Sequence, residues 1–97
     1  MDGLQVDPER LRHMARVYDD QADRLAGAIP RFSSQTRLHD EAFGLLGEAR
    51  DAHHAYVGLV DSTVAALNDA VTELRKRADR LRATAATYEL ADELSSG

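Results

Sequence analysis

From Val60 onward the chain repeats an apolar residue every seven positions. Val60, Leu67, Leu74, Leu81 and Tyr88 stand at that interval, and Val64, Val71, Ala78 and Ala85 each follow one of the first four by four residues. Alternating steps of four and three keep side chains on one side of an α-helix and scatter them over both faces of a strand. The pattern predicts a helix from about residue 48 to 93 with a coiled-coil-like seam. Gly58 is its only interior glycine, and no proline interrupts it.

The segment before it carries its own start signal. In Asp7-Pro8-Glu9, the aspartate can cap a helix, proline suits the first helical position, and glutamate complements the positive end of the helix dipole. Leu11, Met14, Tyr18, Ala22, Leu25 and Ile29 then form an amphipathic stripe, with Arg12, Arg16, Asp19, Asp20 and Asp23 on the other face. Pro30 removes a backbone donor and disfavours helix at Ile29. The first helix either ends there or kinks and continues to about residue 36, which keeps Phe32 near the stripe. The glycines of "HDEAFGLLGE" place the bend at 37–47.

The expected fold is therefore all-α: an antiparallel hairpin of helices at about 8–36 and 48–93. It forms a single domain over 1–97, with an N-terminal extension at 1–6 and a flexible tail at 94–97. At about 1.5 Å per residue the second helix spans roughly 69 Å and the first about 33–46 Å. The first would then leave about the last fifteen residues of the second uncovered, Leu81, Ala85 and Tyr88 among them. A hairpin this small closes no core of its own. It is expected to pair into a four-helix bundle with a second hairpin, either a copy of itself or a related chain. The partner-packing stripe is Val60, Val64, Leu67, Val71, Leu74, Ala78, Leu81 and Ala85.

Several function classes are disfavoured. There is no cysteine for a disulfide or thiolate metal site. A formal net charge of −5 argues against nucleic acid and against stable anchoring on an anionic membrane. No apolar run approaches the ~20 residues that span a bilayer. "MDGLQVDPER" is acidic and lacks the apolar stretch of a cleavable signal peptide. His53 and His54 diverge by about 100° around a helix and cannot grip one metal together. Asp51 and His54 have the spacing of half a di-metal site, without the matching set from other helices. "GLLG" lacks the basic and hydroxyl residues of a phosphate loop. The basic run "LRKRADRLR" is interleaved with acids and reads as a solvated face. No catalytic residue, cofactor site or metal site is expected, and an enzyme is not.

Three stretches carry a family likeness: "DGLQVDPERLRHMA", "DEAFGLLGEA" and "RLRATAATYELAD". The chain resembles the EspC-like branch of the Trp-x-Gly (WXG/ESAT-like) superfamily of type VII (ESX) secretion substrates. The resemblance implies a helical hairpin, paired with another as a homodimer or heterodimer, and exported by an actinobacterial system without a cleavable signal peptide. It implies delivery to a membrane-bound ATPase of the FtsK/SpoIIIE type. It also implies a C-terminal signal Tyr-x-x-x-Asp/Glu, which here falls on Tyr88 and Asp92, with Glu89, Leu90 and Ala91 between them. The superfamily's bend carries Trp-x-Gly. This chain has no tryptophan, and Phe43, Gly44, Leu45 and Gly47 occupy the place, with Phe43 able to supply the aromatic packing.

By its spacing alone, Tyr88 is the last rung of the apolar seam. With the resemblance it becomes half of an export signal, since residues four apart on a helix form one patch. The expected function is a small, non-enzymatic secreted substrate or co-secreted accessory acting through helix pairing. The alternative is a cytosolic helical module that escorts a larger partner. A DNA-associated regulator ranks below both.

Overall fold

The computed structural model of the protein describes residues 6–46 and 50–96. Its elements are α1, Pro8–Leu46, and α2, Arg50–Ser96. The fold is an all-α helical hairpin, as the periodicity predicts. The start of α1 is the expected cap: the Glu9 amide donates to Asp7 Oδ1 at 3.0 Å, and the Leu11 amide donates to the Asp7 carbonyl at 3.1 Å.

The bounds differ from the expected ones at the end of α1 and at the end of α2, and of the two readings at Pro30 the continuing helix is the one found. Pro30 lies inside α1 and does not end it. A proline in a helix interior costs ~3 kcal/mol or more, because one donor is lost and the ring crowds the preceding turn. Ile29 and Phe32, on either side of that defect, are both part-buried. The backbone then stays helical through Leu46, so residues 37–46 of the expected bend, Phe43, Gly44 and Leu45 included, belong to α1; Gly47 lies outside the described residues. At the far end α2 continues past residue 93 to Ser96, and Ser95 Oγ donates back to the Ala91 carbonyl at 2.9 Å. Residues 94–96, expected as tail, complete its last turn.

The chain divides into two compact units. One comprises Met1–Ala22 with Thr72–Gly97, the other Asp23–Val71.

In the first unit the helices run antiparallel. Arg12 bonds to Glu89 and Asp19 accepts from Arg82, so a step of seven forward on α1 matches a step of seven back on α2. Alongside these pairs runs a seam of Ala15, Ala22, Ala78 and Ala85, each 0% exposed. Small side chains let two helix backbones approach closely, and that decides what happens around the seam. At about 100° per residue, Leu11 and Tyr18 on α1, and Leu81 and Tyr88 on α2, all fall on one flank of the alanines. In an antiparallel pair those flanks point the same way and form one apolar face. The charged pairs Arg12–Glu89 and Asp19–Arg82 fall on the opposite flank.

This seam corrects the expected length mismatch. Contact with α1 reaches α2 as far as Glu89, and Ala85 is fully covered. Neither Leu81 nor Ala85 overhangs, and α1 itself runs to Leu46 rather than ending by about residue 36.

In the second unit Val71 is buried, while Leu25, Ile29, Phe32, Val57, Val60, Val64 and Leu67 are part-buried. The stripe read as partner-packing thus divides. Val71, Ala78 and Ala85 are used within the chain; Val60, Val64, Leu67, Leu74 and Leu81 keep part of their surface open. Among the described residues no large side chain is fully buried.

Candidate functional site

The last turns of α2 change character at Ala85. From Ala86 to Ser95 every residue is exposed except Glu89, which is part-buried. Tyr88 is 43% exposed, so it is not a buried rung of the seam. Asp92 is also exposed and lies about 40° around the axis from Tyr88. One aromatic ring and one carboxylate therefore share a face at the end of a helix. Leu90 and Leu94, at 56% and 75% exposure, add open apolar surface.

Glu89 is turned the other way. Arg12 Nη1 donates to Glu89 Oε2 at 2.6 Å, and Nη2 donates to Oε1. This two-point geometry suits the planar guanidinium fork and a carboxylate. The hydrogen bond from Arg12 holds the Glu89 carboxyl below its ordinary value, with the nearby positive charge adding to it and partial desolvation opposing it. The same bond raises the Arg12 guanidinium. A depressed carboxylate contributes stability above the unfolded value of about 4.3 and loses it as pH falls through the folded value. The pair is therefore intact from neutral pH down to mildly acid conditions. Amide protection over 86–95, taken relative to the intrinsic exchange rate at each pH, is expected to stay level between about pH 5 and 8 and to fall below about pH 4. Protection that already falls near neutrality would contradict this.

Arg82 makes the neighbouring link. Its Nη2 donates to Asp19 Oδ2, and its Nη1 donates to Asp79 Oδ1 within α2 at 3.1 Å. Sequence reasoning placed Asp19 and Arg82 on solvated faces and missed both cross-helix pairs, along with Ala15. The available signal was the spacing. Arg12 and Asp19 are seven apart with opposite charge, and so are Arg82 and Glu89. Antiparallel, each cation meets an anion. A slip of one heptad sets Arg12 against Arg82 in one direction, or Asp19 against Glu89 in the other. Like charges opposite each other are a register device of the kind coiled coils use.

Beside the seam, on the apolar face, an open groove is lined by Met14, Tyr18, Arg77, Arg80 and Leu81. In the second unit Ser33, Thr36, Arg37, Val57, Val60 and Asp61 line another. His54 and Asp51 are exposed and His53 is part-buried; the two imidazoles are 6.0 Å apart and tilted by 52°. Among the described residues no group of three or more His, Cys, Asp or Glu side chains converges on a point that could hold a metal ion. No helix among them is long and apolar enough to cross a membrane.

Comparison with known families decides the identity. The family model described as "Excreted virulence factor EspC, type VII ESX diderm" matches residues 1–97. The chain belongs to the EspC family. It is thereby a type VII secretion substrate, secreted through an ESX system, and the cytosolic-module alternative gives way. The EspC family is one of secreted substrates that work with other proteins of the secretion system, and it is not known as a family of enzymes. No curated protein and no solved structure matches the chain.

Proposed function

We propose that this EspC-family chain is a non-enzymatic substrate or co-secreted accessory of an actinobacterial ESX system, recognised through Tyr88 and Asp92. The observation that carries the reading is the exposed ring of Tyr88 sharing a helix face with exposed Asp92, at the end of a chain whose family is exported. An export receptor needs a feature it can reach on the folded chain. An aromatic ring beside a carboxylate supplies an apolar anchor with one polar constraint. The receptor in this reading is the FtsK/SpoIIIE-type ATPase.

Helix pairing is the second half of the proposal. Burying alanines contributes little, since each offers a single methyl group worth about 0.8 kcal/mol by area. The larger apolar side chains, Met14, Tyr18 and Leu81, line an open groove instead. A second hairpin laid on that face, a copy or a related chain, would bury them and complete a four-helix bundle. Phe43, Gly44 and Leu45, in the last turns of α1, are proposed together with Gly47 to close one end of the assembly. The open grooves described above favour a protein partner over a small-molecule substrate.

The test is export of the unaltered chain from a host with an active type VII system, compared with the same host lacking the ATPase. Protein is expected in the medium only from the first. Equal amounts in both media, with cell lysis excluded, would defeat the proposal.

A further inference from the structure

The structure assigns Arg12, on the other helix and 77 residues before Glu89, a positioning role in presenting the export signal. The inference rests on the reading of Tyr88 and Asp92 as that signal.

Burial by α1 ends at Ala85. Of the ten residues that follow, only Glu89 is even part-buried, and Arg12 grips both oxygens of its carboxylate. Terminal turns with little burial fray readily. The grip therefore acts where packing has run out.

Its direction matters as much as its strength. Glu89 and Tyr88 are about 100° apart around the axis, on opposite flanks of the alanine line. A hold on Glu89 fixes the rotation of the last turns as well as their attachment. It keeps Tyr88 on the flank shared with Leu81 and keeps the Tyr88–Asp92 edge in helical register. Arg12 is itself well anchored, since it follows the capped start of α1 by barely a turn. What a receptor meets is then a rigid two-helix end whose recognised residues lie on α2 and whose orientation is set from α1. The motif Tyr-x-x-x-Asp is insufficient on this view: the same five residues on an unheld helix present a moving target.

The experiment uses the full chain in an exporting host, with the exported fraction normalised to the intracellular pool. The variants are Arg12→Ala, Arg12→Lys, the exchange R12E with E89R, and Tyr88→Ala as the signal control. Amide exchange is measured on each purified protein. Arg12→Ala is expected to raise exchange over 86–95 by roughly three- to fivefold, the upper part of what one exposed ion pair supplies, and to leave the alanine seam protected. Its exported fraction falls by a similar factor. Arg12→Lys, which keeps the charge but loses the fork, falls between Arg12→Ala and the parent. The exchanged pair recovers both protection and export. Normal export of Arg12→Ala beside a blocked Tyr88→Ala overturns the inference and leaves the signal reading standing. Normal export of Tyr88→Ala removes the signal reading and the inference with it. Lost export in Arg12→Ala with unchanged protection, or protection without export in the exchanged pair, means that Arg12 or Glu89 is itself recognised, and that also overturns the positioning role.

Discussion

Replacing Tyr88 by alanine is expected to retain the protein in the cell, lowering its amount in the medium by more than about tenfold, because losing an aromatic anchor costs a binding site ~2 kcal/mol or more. Tyr88 is well suited to such a test. Its ring is 43% exposed, and it lies beyond the last fully covered residue of the seam, so its removal takes little from the folded chain. Secondary structure and thermal unfolding of the variant should remain close to those of the parent. Tyr88→Phe separates the ring from the hydroxyl, and partial export of that variant would assign the main part to the ring. Asp92→Ala should reduce export less sharply, since it removes the polar constraint and keeps the anchor. Unaltered secretion of Tyr88→Ala would mean that the residue is surface and nothing more.

The other large effect is on stability. Ala78→Leu inserts a long side chain where the two helices meet through 0%-exposed alanines. Overpacking a filled site costs about 1–3 kcal/mol. For a chain of this size each kcal/mol moves the melting temperature by roughly 4–8 °C. The expected result is a clear drop in the thermal midpoint followed by circular dichroism, with Ala22→Leu behaving alike. Leu81→Ala is the informative contrast. The leucine is only part-buried in the single chain, so its truncation should cost less than a core leucine does. A midpoint for Ala78→Leu equal to the parent's would show that the seam has room, against the burial of its four alanines.

These two residues also mark what the sequence makes legible. Heptad spacing identified α2 and its apolar side, and the Asp7-Pro8-Glu9 cap located the start of α1. Spacing could not tell which of two adjacent apolar lines faces the other helix. Leu74 and Leu81 look like the better core by hydrophobicity, yet the contact goes to Ala78 and Ala85, because small residues permit the closer approach. At Pro30 spacing left two readings open, and the continuing helix is the one the structure has. The glycines of the expected bend misled, since Gly44 sits within α1. The cross-helix pairs were hidden because they exist only once the register is known. The family likeness, by contrast, was readable from three short stretches, and it extends over the whole chain.

The unit that holds the alanine seam also gathers the beginning and the end of the polypeptide, Met1–Ala22 with Thr72–Gly97. Reporter design for export studies is affected directly. An epitope or fluorescent domain fused ahead of Val6 is joined near the same end of the hairpin as Tyr88, although the two are far apart in the chain. A label at either terminus then crowds the surface whose recognition it is meant to report.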